Sequence, residues 1–220
     1  MLACADGAGS ASAAHIGSDL ACQTVVRAVV EFLSQGVRVA EIEEAMLHAW
    51  MAETHQTLVD EAAILLTPSR ELACTLLLAI IGESASAFVQ IGDGAIICRE
   101  NDGYQPIFWP QSGEYINATY FLTDPQFAQH VQIAHCSKRI TEVALLTDGL
   151  QMLALNYATQ SVHQPFFQPL FQTLRNVPNH DELRGPLRQF LTSPRVNERT
   201  DDDKTLVLAT REQSSGEAIA

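Results

Sequence analysis

The sequence has no long hydrophobic run and no excess of basic residues. Its longest strongly apolar run, Leu72–Ile81, is far shorter than the ~20 residues that a membrane-spanning helix requires. Lysine and arginine together number 13 against 26 aspartates and glutamates, which gives a formal net charge of −13. An acidic surface repels phosphate backbones. We therefore expect no nucleic-acid partner and no membrane span, and the N-terminus shows no signal-peptide pattern.

The sequence also lacks the cysteine patterns of disulfide frameworks and of cysteine-rich zinc sites. It holds five cysteines, an odd number, at scattered positions without a C-x-x-C pair: Cys4, Cys22, Cys74, Cys98 and Cys136. This usage is typical of free, mostly buried thiols in a reducing compartment. A cytoplasmic location is therefore predicted.

Three further hydrolytic chemistries have no matching motif. No G-x-S-x-G elbow is present for Ser/His/Asp hydrolysis. No cysteine precedes a glycine- and arginine-containing loop that could cradle phosphate. A haloacid-dehalogenase-type phosphatase needs an aspartate two residues before its second aspartate, and Cys4 stands in that place relative to Asp6.

The first half of the chain predicts one strand, two helices and then several strands. Met1–Ala5 reads as a strand that runs into a glycine turn. Apolar residues at helical spacing predict a helix from about Ser18 to Gly36, and a second helix follows. The face of this second helix is formed by Ile42, Ala45, Met46, Ala49 and Trp50.

The middle of the chain changes to apolar segments typical of strands. These are Leu72–Ile81, Ser86–Ile91 and Ala95–Cys98. The pair Asp93-Gly94 lies between the last two and is typical of a tight hairpin. Residues 101–137 predict irregular loops with short strands.

The last third predicts a strand, a helical region and a final strand. Ile140–Leu146 is the first of these strands, helices fill roughly 149–193, and Thr205–Ala209 is the last strand. Because strands and helices do not alternate regularly, a sheet or sheet pair covered by helices is favoured over a Rossmann or barrel fold. One domain over 1–210 is predicted, and 211–220 is expected to be a disordered tail.

Three aspartates stand at predicted strand ends. Asp6 follows the first strand, Asp148 follows Val143–Leu146, and Asp202 precedes the last strand. If these strands are neighbours in one sheet, their ends bring the three carboxylates together. Clustered carboxylates need a compensating cation, and their oxygens suit Mg²⁺ or Mn²⁺. Two such ions ~3.5–4 Å apart can activate a bridging water for attack on phosphorus.

Each aspartate also has a simpler interpretation. Asp148 could cap the helix that follows it. Asp201–Asp203 could be a solvated loop. Asp93 could be no more than a hairpin residue.

Taken in order, these motifs resemble those of the PP2C-like metal-dependent serine/threonine protein phosphatases, and most closely a divergent bacterial branch. The segment from Pro110 to Thr123 also resembles that branch, and the resemblance spans Asp6 to Ala209. The motifs that carry it are Asp6–Gly9, Gly92–Gly94, Leu146–Leu150 and Asp202–Leu206.

The resemblance implies an α+β fold, an α-β-β-α sandwich of two antiparallel sheets flanked by helix layers. It implies two Mn²⁺ or Mg²⁺ ions, with Asp6 bridging both and the carbonyl of Gly7 bound to one. Asp148 and Asp202 complete this ligand set together with water. Asp93 matches a position that helps to hold a looser third ion in some relatives.

The implied reaction is hydrolysis of phosphoserine or phosphothreonine by a metal-activated water, without a phosphoenzyme. The catalytic residues are then Asp6, Asp148 and Asp202. The implied partners are phosphorylated proteins and a cognate serine/threonine kinase.

The sequence departs from the family at its start. Relatives carry a strand before the Asp-Gly motif, with an arginine that grips phosphate, and Met1 lies only five residues before Asp6. Some relatives have a histidine just after the motif, where Ala8 and Gly9 stand here. A truncated start, or a catalytically inactive binding or regulatory module, is therefore an alternative. The simplest alternative is an α/β domain whose Asp-Gly turns are only turns.

Overall fold

The structure, a computed structural model, describes residues 1–101, 103–111 and 119–211. The strands in this part of the chain are β1 (Leu2–Cys4), β2 (Leu76–Ile81), β3 (Ser86–Ile91), β4 (Ala95–Glu100), β5 (Gly103–Pro106), β6 (Gln132–Cys136), β7 (Glu142–Leu146), β8 (Leu155–Asn156), β9 (Ser161–Val162) and β10 (Leu206–Thr210). The helices are α1 (Ala14–Ser34), α2 (Glu44–Ile64), α3 (Gln151–Ala154), α4 (Gln164–Asn176), α5 (Arg184–Leu191) and α6 (Pro194–Asn197).

The strands form two main antiparallel sheets. The first sheet has the order β1-β2-β3-β6 and the second has the order β10-β7-β4-β5. Within the second sheet, Leu206 lies opposite Leu146 and Thr210 lies opposite Glu142. The strands β8 and β9 pair only with each other, as a small hairpin.

The two sheets pack face to face, and helices cover their outer faces. Successive side chains of a strand point to opposite faces, so β2 contributes to two cores at once. Leu77 packs with Phe88 and Leu145 between the sheets. Leu78 packs with Val25 of α1 on the outer face of the first sheet.

The outer face of the second sheet is covered mainly by α4. Its Phe167 and Phe171 are fully buried against Ile97 and Ala144 of the sheet. The layer order is therefore helix, sheet, sheet, helix. The α-β-β-α sandwich predicted from the sequence is confirmed.

The predicted hairpin at Asp93-Gly94 is wrong. The strand before it, β3, pairs with β2 and β6, whereas the strand after it, β4, pairs with β7 and β5. The chain therefore crosses from one sheet to the other at this point. Gly92 has a φ of 101°, a conformation that glycine adopts without strain. A two-residue turn signal does not specify which strands pair.

Two element boundaries also differ from prediction. Helix α1 begins at Ala14 rather than near Ser18, and it includes Gly17, where an added Cβ would lie 2.0 Å from the carbonyl oxygen of Leu72. Strand β2 begins at Leu76 because Ser69–Leu72 forms a short 3₁₀ turn. The apolar run that starts at Leu72 therefore spans a turn as well as a strand.

Two predictions concern residues outside the described part of the chain. Of the segment 110–123, the structure describes 110–111 and 119–123, and the expected tail lies within 212–220 except for Arg211. Among the described helices, none is long and apolar enough to cross a bilayer.

Candidate metal centre

Asp6 lies where the chain leaves β1 and runs alongside the segment before β2. Its backbone N–H donates to the Thr75 hydroxyl at 3.1 Å, and its carbonyl accepts from the Thr75 N–H at 2.8 Å. The next residue, Gly7, forms a β-bridge with Cys74. These bonds hold the Asp6 backbone in one position at the edge of the first sheet.

Gly7 is required here by close packing against the start of α1. A Cβ at this position would lie 2.7 Å from the Cβ of Ala14 and 2.9 Å from its carbonyl oxygen. Such a contact could be relieved only by shifting the helix. The Asp-Gly turn is therefore more than a flexible connection, because it joins the edge of the sheet directly to α1.

Asp148 and Asp202 belong to adjacent strands of the second sheet. Asp148 follows the end of β7, and Asp202 precedes the start of β10. Two hydrogen bonds between Thr147 and Thr205 join the two connections, at 3.0 and 3.2 Å. Antiparallel pairing of the two strands thus brings both aspartates to the same end of the sheet.

Gly149 allows the connection after β7 and the connection before β10 to pack closely against each other. A Cβ on Gly149 would lie 2.1 Å from the carbonyl oxygen of Asp203. Any side chain would therefore push the 201–204 loop away from Asp148. This contact makes Gly149 a determinant of where Asp202 lies.

The sequence analysis assumed that the strands carrying the three aspartates are neighbours in one sheet, and the structure shows that they are not. Asp6 comes from the first sheet, and Asp148 and Asp202 come from the second. The carboxylates approach one another because the sheets pack face to face, with β1 in contact with β7. The predicted convergence therefore occurs between the layers.

Asp93 lies in the connection that crosses from the first sheet to the second. The buried amide of Gln90 donates to the carbonyl of Gly94 at 3.1 Å, and the N–H of Gly92 donates to Gln111 at 2.7 Å. The Gln151 side-chain amide donates to the carbonyl of Asp93. The fold thus fixes this loop from both sides and presents Asp93 to the other aspartates.

The four carboxylates lie close enough together for their charges to interact. The pKa of Asp6 is raised to about 7, first by burial, then by a hydrogen bond with Asp148, and then by the charges of Asp148, Asp202 and Asp93. Burial and the charge of Asp148 raise the pKa of Asp93 to about 6. Burial is also the main reason that the pKa of Asp148 is raised.

The cluster has unused capacity to bind a cation. The Oδ1 atom of Asp148 is buried without a hydrogen-bond partner. Among the described residues, no lysine, arginine or histidine nitrogen lies within 4 Å of a carboxylate oxygen of Asp6, Asp93 or Asp148. A buried carboxylate oxygen without a partner is costly, so these residues fit a hard cation that accepts oxygen ligands.

The side chains do not form a complete ligand cage by themselves. In the part of the chain that the structure describes, no three His, Cys, Asp or Glu side chains are spaced so that they could hold a metal ion. The remaining ligands would therefore be backbone carbonyls and water, which Mg²⁺ and Mn²⁺ accept readily. The assignment of Asp6, Gly7, Asp93, Asp148 and Asp202 as ligands stays a prediction.

Sequence reasoning missed the polar residues that support the cluster. Gln151 links Asp93 to Tyr157, whose hydroxyl donates to Gln151 Oε1 at 2.6 Å. Burial and the nearby charges of Asp93 and Asp148 raise the pKa of Tyr157. Gln151 and Tyr157 carry no motif, and only the folded structure places them beside the aspartates.

Solved structures of protein phosphatases share this architecture. A structure titled a bacterial serine phosphatase has a TM-score of 0.61 at 16% identity, over 97% of this chain and 87% of that one. The catalytic domain of the serine/threonine protein phosphatase PstP, in complex with two manganese ions, has a TM-score of 0.59 at 17% identity, over 96% of this chain and 87% of that one. At such identities the likeness shows the fold.

The sequence comparisons show the family. The family described as protein phosphatase 2C matches residues 1–191. Serine/threonine-protein phosphatase 3 of Escherichia coli is 39% identical over 209 residues, covering 93% of this chain and 81% of that protein. The chain therefore belongs to the protein phosphatase 2C family. The predicted enzyme class, a protein serine/threonine phosphatase, is confirmed.

Proposed function

We propose that this protein hydrolyses phosphoserine and phosphothreonine in protein substrates with the help of two divalent cations bound at the aspartate cluster. The observation that carries the proposal is that Asp148, which has a buried Oδ1 atom without a hydrogen-bond partner, interacts with Asp6, whose carboxyl pKa is raised to about 7. The fold brings these charges together without a described cation to neutralise them. A site of this kind is expected where a metal ion is part of the working protein.

Each aspartate has a distinct place in the proposed site. Asp6, from the first sheet, would be shared by the two cations, and the Gly7 carbonyl would supply a further oxygen ligand. Asp148 and Asp202, from the second sheet, would supply carboxylate ligands from the other layer. Asp93 contributes to a third, weaker position. When bound, such ions neutralise phosphate oxygens and lower the pKa of water.

The cation is proposed to be Mn²⁺ or Mg²⁺, because the donors are oxygens only and sulfur and nitrogen ligands are not among them. Mn²⁺ is proposed because the fold is similar to that of a phosphatase whose structure was solved with two manganese ions. The proposed partners are phosphorylated proteins and the serine/threonine kinase that modifies them. The cytoplasmic location predicted from the cysteine pattern is part of the same proposal.

The test is hydrolysis of p-nitrophenyl phosphate and of a phosphothreonine peptide by the EDTA-treated chain, with and without added Mn²⁺. We expect turnover only with Mn²⁺, and loss of that turnover in Asp6→Asn. The matched control is Asp60→Asn, which makes the same chemical change at an exposed position on α2 and should keep full activity.

Metal binding is measured in parallel by calorimetry. Turnover that persists in EDTA, or that is equal in Asp6→Asn and the wild type, would contradict the proposal. Mn²⁺ binding without turnover would favour the inactive regulatory module.

A further inference from the structure

Glutamine side chains hold the crossing loop, residues 92–94, where the chain passes from the first sheet to the second. The Gln90 amide donates to the carbonyl of Gly94 at 3.1 Å and to that of Gly92 at 3.4 Å. The Gln111 Oε1 atom accepts from the N–H of Gly92 at 2.7 Å. Two glutamines from outside the crossing loop therefore fix its backbone on both sides of its central residue.

A third glutamine binds the centre of the crossing loop. Gln151 is the first residue of α3, and its side-chain amide donates to the carbonyl of Asp93. Together with the two bonds from Gln90, each of the three carbonyls of the crossing loop accepts a hydrogen bond from a glutamine amide. An amide donor fixes a carbonyl without bringing a positive charge that would compete with a cation for the Asp93 carboxylate.

Gln151 differs from the other two glutamines in its further contacts. Gln90 is fully buried in β3, and the Gln111 amide donates to the carbonyl of His130 at 2.7 Å. Gln151 is half-buried, and its Oε1 atom accepts from the hydroxyl of Tyr157 at 2.6 Å. The side chain of Tyr157 is 46% exposed. Of these three glutamines, Gln151 is therefore the one that links the crossing loop to the protein surface.

Tyr157 is held in place by the β8–β9 hairpin and by a second aromatic ring. Asn156 Oδ1 accepts from the N–H groups of Ala158 at 3.1 Å and Thr159 at 3.3 Å, which orders the turn that contains Tyr157. The Tyr157 ring lies edge to face against Trp109, with the ring centroids 5.2 Å apart and the planes at 77°. Aromatic pairs of this geometry are favourable beyond the area that they bury. A continuous chain of contacts therefore runs from this aromatic pair to the crossing loop.

We propose that Gln151 is a positioning residue for the Asp93 carboxylate, and that it couples the weaker cation position to the surface aromatic pair of Tyr157 and Trp109. The inference rests on the proposed function, because Asp93 acts there as a ligand of the weaker cation. Loss of a group that orients a metal ligand commonly lowers metal affinity by about 10–100-fold. The coupling requires that the Tyr157 hydroxyl keeps the Gln151 amide directed at the crossing loop.

The first test is a calorimetric Mn²⁺ titration of the EDTA-treated chain. Gln151→Met removes the amide and keeps a side chain of similar length. We expect it to weaken the weakest binding phase by about 10-fold and to leave the tighter binding unchanged. Gln172→Met is the matched control, because it makes the same change at an exposed position on α4 and should bind Mn²⁺ like the wild type.

A double-mutant cycle with Asp93→Asn separates positioning from a general loosening of the fold. If Gln151 acts through Asp93, then Gln151→Met has no further effect on Mn²⁺ binding when Asp93→Asn is already present. A general loosening would instead weaken the tighter binding in both backgrounds, and that result would overturn the positioning role.

The fluorescence of Trp109 tests the coupling without any turnover. The chain has two tryptophans, so Trp50→Phe leaves Trp109 as the only one. Mg²⁺ is used because it is diamagnetic and does not quench the emission by itself. We expect Mg²⁺ to change the Trp109 emission, and we expect Gln151→Met and Tyr157→Phe to remove that change. In the chain with both tryptophans, Tyr157→Phe should weaken the weakest Mn²⁺ phase by about 3-fold, which calorimetry measures.

The outcomes separate this inference from the proposed function. Wild-type Mn²⁺ binding in Gln151→Met, or in Asp93→Asn, overturns the positioning role and leaves a two-cation phosphatase intact. Weaker binding in Gln151→Met, with wild-type binding and an unchanged Trp109 response in Tyr157→Phe, overturns the coupling to the surface. A wild-type chain that binds no Mn²⁺ overturns the proposed function and this inference together.

Discussion

The two ends of β7 carry carboxylates in opposite situations. At its start, Glu142 is only 2% exposed and forms ion pairs with Arg99, at 3.3 Å, and with Arg175. The Tyr104 hydroxyl donates to Glu142 at 2.6 Å. Just beyond its other end, Asp148 has a buried oxygen without a partner and faces further carboxyls.

The difference shows which carboxylates the fold uses for its own stability. Glu142 is fully compensated by groups from β4, β5 and α4, so it holds the second helix layer on the sheet. Asp148 lacks such compensation among the described residues, and the fold tolerates the resulting repulsion. A cluster of charges that destabilises the metal-free protein is retained where it binds something from outside the chain.

The largest expected effect is the loss of activity in Asp148→Asn. Removal of a proposed ligand should lower Mn²⁺-dependent turnover by about 10²–10³-fold or more, while the fold survives because the change removes a repelling charge. Steady-state kinetics and circular dichroism measure the two properties. Unchanged turnover in this variant would falsify the metal-site assignment.

At the other end of β7, Glu142→Gln should affect stability instead. It leaves two arginines facing an uncharged amide in a partly buried site, which should lower the free energy of unfolding by about 3–5 kcal/mol. Urea denaturation measures this loss. Activity per folded molecule should stay at the wild-type level. A variant that is stable but inactive would contradict the distinction between a structural Glu142 and a functional Asp148.

A smaller effect is expected from Gly149→Ala. The added Cβ would lie 2.1 Å from the carbonyl oxygen of Asp203, so the 201–204 loop must move away from Asp148. We expect a destabilisation of about 1–3 kcal/mol together with weaker Mn²⁺ binding, measured by denaturation and calorimetry.

Gly185→Ala is the control for that variant. Apart from the adjacent residues and the helix's own backbone, no atom lies within 4 Å of a Cβ at position 185, so an added methyl group meets no distant group. A change of less than about 0.5 kcal/mol is expected there. Similar metal affinity in both variants would show that Gly149 does not position Asp202.

The smallest effect is a pH dependence of the metal-free protein. The pKa values of Asp6 and Asp93 are raised to about 7 and about 6 from 3.8, so the folded state binds more protons than the unfolded state between these values. Their contribution to stability is therefore present in full below about pH 4 and is lost as pH rises through about 7.

Thermal unfolding of the EDTA-treated chain between pH 5 and 8 tests this dependence. The melting temperature should fall with pH over that range, and the slope should be smaller in Asp6→Asn. Saturating Mn²⁺ should remove the slope, because bound cations favour the ionised carboxylates. A melting temperature that rises with pH in the wild type but not in Asp6→Asn would contradict the pKa values.

Some features of the fold could be predicted because they depend on local pattern. The apolar periodicities of α1, α2 and the strands indicated a sheet or sheet pair covered by helices, and the family resemblance specified two sheets. The element boundaries were less accurate. Gly17 lies within α1, and Leu72 belongs to a turn, because each packs against the other across the helix and the segment before β2.

The sequence by itself indicated the family, through the resemblance of its ordered motifs, and it led to the prediction of Asp6, Asp148 and Asp202 as site residues from their positions at predicted strand ends. Only the tertiary structure decided that Asp93 lies at a crossing between sheets and that Asp6 reaches Asp148 from the opposite layer. The physical reason is that backbone hydrogen bonding is the same for every strand, so a strand's partner depends on packing far away in the sequence. The contact between Gln151 and Asp93 also depends on the tertiary structure, because no local sequence pattern predicts it.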